Sequence, residues 1–143
     1  MLLAILALVS SALVFEVRAE DLCRILARPQ EFTGKVLTIR ATVKPTMHGT
    51  YLKQSGCADS ILVVLPEEIP NYRGSVRTLQ DAQFNDFVKA RFDFRPNAPV
   101  FEAAFSGQLE YAKRGVKFGY YRNHRARFVL RAVESGPAAV SNH

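Results

Sequence analysis

A strict alternation of apolar and polar side chains over residues 36–44 is the feature that most constrains this chain. The apolar members are Leu37, Ile39, Ala41 and Val43, and the residues between them are polar or charged. Because successive side chains of a β-strand point to opposite faces, the pattern predicts a strand with one buried face. The same alternation recurs over residues 100–111, and residues 126–134 are predicted to form the last strand. We therefore expect the core to be built on a β-sheet.

Two further strands and a short helix are predicted between the N-terminus and residue 65. Residues 50–54 predict a second strand, and residues 60–65 form a continuous apolar run that is typical of a strand covered on both faces. A helix over residues 21–28, capped by Asp21, is expected before the first strand. Gly107, inside the fourth predicted strand, indicates a bulge or a sharp bend.

The segment between the third and fourth strands supports two interpretations. Thr78 and Asp81 have the spacing of a capping box, which predicts a helix from residue 79 into the low 90s. The buried side of that helix would consist of Leu79, Ala82, Phe87, Ala90 and Phe94. Residues 88–95 also alternate apolar with charged side chains, as a strand would, and periodicity alone does not decide between the two.

The first nineteen residues predict an export signal. Residues 2–15 carry no charge, and this run is shorter than the roughly 20 residues of a membrane-spanning helix. Val17 and Ala19 stand where signal peptidase accepts small side chains, so we expect cleavage after Ala19. The chain would then comprise a signal peptide at 1–19, a single domain at 20–135 and a flexible tail at 136–143, and it would be secreted or periplasmic. The alternatives are an uncleaved membrane anchor and a buried helix of the domain.

Export decides how the two cysteines are interpreted. In an oxidising compartment Cys23 and Cys57 are most simply a disulfide. A metal site that joins them to His48 is one alternative, but no spacing typical of metal ligands supports it, and unpaired thiols are another. The expectation is a disulfide, with no metal site and no cofactor.

Three stretches of the sequence together carry a family resemblance. A short helix with a Cys runs into a Gly-Lys turn and strand at 22–43, a second Cys precedes an apolar strand at 57–67, and a Gly-containing strand, a Phe-Gly loop and an apolar strand occupy 105–135. In these motifs the chain resembles small exported bacterial proteins of unknown function with an OB-like barrel. The resemblance implies a mainly β fold with short helices: an OB-fold-like five-stranded barrel with an N-terminal helix and a helix between strands 3 and 4. The motifs are structural, so they imply no activity.

No short motif in the chain marks a common catalytic or nucleotide-binding site. GxSxG, HExxH, P-loop and GxGxxG patterns are all missing from the sequence. The three histidines, His48, His124 and His143, stand isolated. We therefore predict no catalytic residue, and an unrecognised small hydrolase is the least favoured class.

The positive charge is concentrated in the second half of the chain. The formal net charge is +6, and the segment from Asp86 to Arg131 alone holds ten Lys or Arg against four acids. Cations that follow a phosphate backbone, interleaved with aromatic rings, are what OB barrels use to bind single strands. The candidate ligand-binding residues are Lys113, Arg114, Lys117, Tyr120, Tyr121, Arg122 and Arg125.

These features together predict an exported, non-catalytic binding module whose candidate site is the basic loop at 113–127. Its expected ligand is a polyanion, such as a lipid headgroup or an acidic polysaccharide. Nucleic acid is not favoured, because an exported protein seldom meets it. A structural or protein-interaction component of the cell envelope is the alternative function, and a solvated basic face without a ligand is the plainest interpretation of the charge.

Overall fold

The computed structural model describes residues 19–112, 117–118 and 124–135. Its helices and strands follow one another as α1 (Leu22–Ala27), β1 (Val36–Thr46), β2 (Gly49–Lys53), β3 (Ser60–Val64), α2 (Ala82–Ala90), β4 (Glu102–Tyr111) and β5 (Ala126–Ser135). Short 3₁₀ turns cover Pro29–Glu31 and Pro66–Glu68. The fold is thus mainly β with two short helices, and the predicted order of elements is confirmed.

The five strands form one sheet that closes in a ring. β1 pairs antiparallel with both β2 and β4, β2 pairs antiparallel with β3, and β4 pairs antiparallel with β5. The ring closes through a short parallel ladder between β3 and β5, which runs from Leu62 opposite Arg127 to Val64 opposite Val129. The resulting order β1-β2-β3-β5-β4 returns to β1, so the inner face of the sheet is enclosed.

The enclosed face holds the hydrophobic core, and the alternation seen in the sequence accounts for it. Leu37, Ile39 and Ala41 of β1 are buried as predicted, with exposures of 8%, 0% and 3%. Phe105 of β4 and Phe87 of α2 are both fully buried, and their ring centroids lie 5.6 Å apart in an edge-to-face contact. Burying each such side chain stabilises the fold by about 1.5–3 kcal/mol, so α2 is held on the ring chiefly by its apolar face.

Gly107 lies at an irregularity of the β4–β5 ladder, as the sequence predicts. The pairing register shifts between Ser106 and Gly107. A Cβ atom at position 107 would collide with the carbonyl oxygen of Val129 and would lie 2.6 Å from Cε1 of Phe128. Glycine is therefore required where β5 crosses closely over β4.

The segment before β4 is a helix, but it begins later than its sequence predicts. Asp81 is the N-cap of α2, and its side chain accepts a hydrogen bond from Phe84 N–H at 2.9 Å. The predicted start at residue 79 is wrong, because Thr78 and Leu79 bond instead to carbonyl oxygens of β5, at 2.8 and 2.7 Å. The predicted buried side is also wrong in part: Leu79 is 59% exposed, Ala82 is exposed at the start of the helix, and Phe94, which lies beyond the end of α2, is 54% exposed.

Cys23 and Cys57 form a disulfide that joins α1 to the turn between β2 and β3, as predicted. Both thiols are used in this bond, so the alternative metal site with His48 does not form. Gln54 ties the same two parts together, because its Oε1 accepts from Leu22 N–H at 3.0 Å and its Nε2 donates to Arg40 O at 3.1 Å. A structural disulfide fits an oxidising compartment.

The predicted signal peptide and tail lie almost wholly outside the described residues, which begin at Ala19 and end at Ser135. Glu20 already belongs to the fold, because its backbone N–H donates to Thr38 O at 2.7 Å. Among the helices that the structure describes, none combines the length and the apolar character that a membrane span requires.

Candidate functional site

The predicted ligand-binding residues fall on the connection between β4 and β5. Lys117 and Arg125 are exposed, and neither lies within ion-pairing distance of an acidic side chain in the described part of the chain. The other candidates lie outside the described residues: Lys113, Arg114, Tyr120, Tyr121 and Arg122. Within the described residues, the structure thus places two uncompensated cations at this connection.

Backbone hydrogen bonds hold these two cations at the base of the connection. Phe118 N–H donates to His124 O at 2.6 Å, and His124 N–H donates to Phe118 O at 3.1 Å. One residue further along, Ala112 N–H donates to Arg125 O at 2.6 Å. Lys117 and Arg125 are the immediate neighbours of this bridge, so their backbone positions are fixed by it.

His124, isolated in the sequence, has a partner in the fold. Its Nε2 and the hydroxyl of Tyr51 on β2 share a hydrogen bond of 2.8 Å, and the two ring centroids lie 5.2 Å apart. Partial burial lowers the pKa of His124 below its usual value and raises the pKa of Tyr51. The pair fastens the β4–β5 connection to β2, across a separation of 73 residues that no local motif could reveal.

Arg127 differs from Lys117 and Arg125 because its charge is compensated. Its Nε and Nη2 both bond to Oε2 of Glu110 at 2.6 Å, and the two residues face each other across the β4–β5 ladder. Its guanidinium carbon also lies 4.1 Å from the centroid of the Phe118 ring. Arg127 therefore covers one face of Phe118, and that face is not open to a ligand base.

A cleft of about 320 Å³ lies beside these residues and is lined by parts of β2 and β3. The turn before β2 contributes His48 and Gly49, and the segment after β3 contributes Glu68. Phe118, Arg127 and Arg91 complete the walls. The β1–β2 turn and the β4–β5 connection thus face the same cleft.

Arg91, at the C-terminal end of α2, is a charged residue of this cleft that the sequence did not single out. Only 9% of its side-chain surface is exposed, and its Nη2 lies 2.7 Å from Oε1 of Glu68. Its Nε donates to Oγ1 of Thr50 at 3.3 Å. These bonds connect α2 to β2 and to the 3₁₀ turn after β3, so Arg91 has a structural role as well as a place in the cleft.

A second cleft, of about 580 Å³, lies on the other side of the connection. Ser60, Asp59, Tyr111, His124 and Arg125 are among its lining residues. Tyr111 is only half-buried there, although its place in the β4 alternation predicts a core position. No hydrogen bond joins Ser60 to His124 among the described residues, and the His124 Nε2 atom is bonded to Tyr51. The cleft therefore brings together the residue types of a serine hydrolase without the hydrogen bond that activates a nucleophile.

Comparison of the chain with protein-family models, with curated proteins and with solved structures gives no match. The chemistry of the site therefore has to be judged from its own geometry.

Proposed function

We propose that the protein is an exported, non-catalytic binding module with an OB-fold-like barrel, and that it binds polyanions through the basic connection at residues 113–127. The observation that carries the proposal is the contrast between neighbouring cations. Arg127 is paired with Glu110, whereas Lys117 and Arg125 are exposed and unpaired in the described part of the chain. Charges without a protein partner remain available to attract an anion.

The OB-like assignment is supported by the strand order and by the position of α2. The ring order β1-β2-β3-β5-β4, with a helix between β3 and β4, matches the layout expected of that fold. OB barrels bind ligands on the surface that their β1–β2 and β4–β5 loops flank. Phe118 of the β4–β5 connection and His48 of the β1–β2 turn line one cleft here. The resemblance to small exported bacterial proteins points the same way.

Export is part of the proposal because two independent features favour it. The uncharged N-terminal run predicts a signal peptide with cleavage after Ala19. The Cys23–Cys57 bond is of the kind that persists in oxidising compartments. The processed protein would begin at Glu20, whose backbone is already bonded to β1. It would act in the periplasm or outside the cell, where anionic lipid headgroups and acidic polysaccharides are the available polyanions.

The test is the salt dependence of binding in a double variant, Lys117→Gln with Arg125→Gln. Binding of the processed protein would be measured against anionic vesicles, an acidic polysaccharide and a single-stranded oligonucleotide over a range of NaCl concentrations. Each phosphate contact of a cation with a single strand adds about 0.7 to the slope of log affinity against log salt. Removing two cations should therefore lower that slope for the oligonucleotide by about 1.4 and weaken binding to every polyanion that the site accepts.

A matched control is Lys53→Gln with Arg73→Gln. It removes the same number of charges from exposed residues at the end of β2 and in the segment before α2. If both double variants reduce the slope equally, the effect is one of net charge, and the basic connection is not a site. Affinity that does not change with salt in the unmodified protein would favour the alternative function, a protein-interaction component of the envelope.

A further inference from the structure

The cleft of about 320 Å³ beside β2 and β3 contains two arginines from different elements. Arg91 ends α2 and Arg127 lies on β5, and each is held by one carboxylate, Glu68 and Glu110 respectively. Such pairs ordinarily stabilise a fold. This arrangement differs from an ordinary pair of salt bridges in the number of guanidinium N–H donors that the protein does not use.

Arg91 uses only part of its hydrogen-bonding capacity on the protein. A guanidinium has five N–H donors. The Nε of Arg91 donates to Thr50, and its Nη2 forms an ion pair with Glu68 at 2.7 Å. Among the described residues no acceptor is bonded to Nη1, although 91% of the side-chain surface is buried. Since no buried side-chain nitrogen or oxygen in the described structure lacks a partner, Nη1 retains contact with solvent, and the cleft is an open space that Arg91 lines.

Arg127 shows the same asymmetry. Its Nε and Nη2 both donate to one oxygen of Glu110, and no acceptor among the described residues is bonded to its Nη1. Phe118 covers the flat face of the guanidinium, and only 19% of the side chain is exposed. Glu110 does not line this cleft, whereas Arg127 does. Because Glu110 holds Nε and Nη2, the direction of the N–H groups on Nη1 is fixed as well.

The carboxylate that does line the cleft is already occupied. Oε1 of Glu68 lies 2.7 Å from Nη2 of Arg91, and Oε2 accepts from Leu65 N–H at 2.9 Å. Each of its oxygens therefore already contacts the protein, whereas no acceptor among the described residues is bonded to either Nη1 group. An occupant of the cleft would meet the side chains of Arg91 and Arg127 together with the Phe118 ring.

We infer that this cleft binds one phosphate group between Arg91 and Arg127. A carboxylate has two oxygens and is satisfied by one guanidinium, whereas phosphate offers three or more oxygens and up to two negative charges, which suits donors from two directions. A volume of about 320 Å³ is at the lower end of the range of small-ligand sites, so it fits a phosphate with a small substituent. The site uses neither Lys117 nor Arg125, so it can be tested apart from the polyanion proposal, although both proposals draw on the cleft that Phe118 and His48 line.

The experiment is a titration of the processed protein with inorganic phosphate at constant ionic strength, followed by the NMR signals of the His48 imidazole, which lines the cleft. Arg127→Gln should raise Kd about tenfold, which corresponds to the loss of one charge-assisted hydrogen-bonded contact. Glu110→Gln should do the opposite and lower Kd several-fold, because it frees the charge of Arg127 while leaving its donors in place. If the Arg127–Glu110 pair had only a structural role, replacing its two members would not change the phosphate Kd in opposite directions.

Arg91 is tested by the conservative change Arg91→Lys, which keeps the charge and removes the planar fork. It should weaken phosphate binding about tenfold, while circular dichroism confirms that the variant is folded. A sugar monophosphate and a phosphodiester dinucleotide, titrated in parallel, distinguish which source of the phosphate group the site accepts.

Three results would overturn the inference: acetate binding as tightly as phosphate, an unchanged Kd in Arg127→Gln, or a weaker Kd in Glu110→Gln. Lys117→Gln with Arg125→Gln should leave the phosphate Kd within about twofold, as expected for a site that makes no direct contact with either residue. If this double variant abolished phosphate binding while Arg127→Gln did not, the anion would be held by the basic connection and not by the cleft. The two proposals can therefore fail separately.

Discussion

Replacing both cysteines by serine measures how much of the fold depends on the bond between α1 and the β2–β3 turn. Cys23 and Cys57 are 34 residues apart in sequence. In the chain-entropy description, opening a loop of about 35 residues costs about 4 kcal/mol at 25 °C. Net stabilities of small domains are about 5–15 kcal/mol, so this is a large share of the total. For a domain of this size the loss corresponds to a decrease in Tm of roughly 15 °C.

The structure also predicts which element loses stability first when the disulfide is removed. α1 has six residues, too few to be stable alone, and Leu22 and Ile25 are its fully buried members. Apart from backbone contacts, Gln54 makes the polar contact that remains between α1 and the rest of the fold, among the described residues, when the disulfide is removed. Amide hydrogens of α1 should therefore exchange faster in the double-serine variant than amides of β4 and β5.

Urea unfolding of the unmodified protein, of the double-serine variant and of Gln54→Ala provides the measurement. Gln54→Ala removes two hydrogen bonds and should cost about 1–3 kcal/mol, less than the loss of the disulfide. A double-serine variant that loses less than about 1 kcal/mol would refute the reasoning, because the loop entropy would then not be limiting. Uniform acceleration of exchange across α1 and β4 would refute the local part of it.

Three further predictions follow from individual positions. Gly107→Ala should destabilise the fold by about 3 kcal/mol in urea unfolding, because the new Cβ meets the Val129 carbonyl and the Phe128 ring. Gly34→Ala should cost less, about 1–2 kcal/mol, because its Cβ meets no neighbour within 4 Å and only the φ of +77° is unfavourable. Phe87→Ala should cost about 3–5 kcal/mol, because its fully buried ring packs on Phe105 and a cavity would remain. Burial lowers the pKa of His124 in the folded state, so the unfolded chain binds more protons than the folded one as pH falls through about 6.5. The free energy of unfolding should therefore decrease from pH 7.5 to pH 5.5. Urea unfolding at the two pH values should show a smaller decrease in His124→Gln. Equal losses in both proteins would contradict the assigned role of His124.

The strands could be predicted because their signals are local. Alternation over β1 and β4 identifies most of the buried face, with Tyr111 as an exception, and Asp21 and Gly107 occupy positions whose chemistry allows few other roles. The start of α2 could not be predicted in the same way. Thr78 has the right spacing to begin a helix, but its hydroxyl donates to Leu130 O in a strand that lies 52 residues further along the chain. A tertiary hydrogen bond overrides a local signal of about 1 kcal/mol.

The candidate site was predictable only in its composition. The sequence shows that the region around the β4–β5 connection is basic, but it does not show which cations are compensated. That depends on strand register, which places Glu110 opposite Arg127, and on the packing of α2, which brings Arg91 to Glu68. Tyr51 and His124 illustrate the same limit, because residues on β2 and on the β4–β5 connection meet only once the ring has closed.

Compensation changes what the net charge of +6 implies for binding. A paired guanidinium such as that of Arg127 contributes little to the long-range field, because its carboxylate cancels most of it beyond a Debye length of about 8 Å. The same pairing fixes the direction of its remaining N–H groups, which favours short-range recognition of a single anion. Lys117 and Arg125 have the opposite character, since they are exposed, unpaired in the described residues and suited to attracting an extended polyanion. One basic segment can therefore supply both a diffuse attraction and a directed contact, and the two are separable by salt, because only the diffuse attraction is strongly screened.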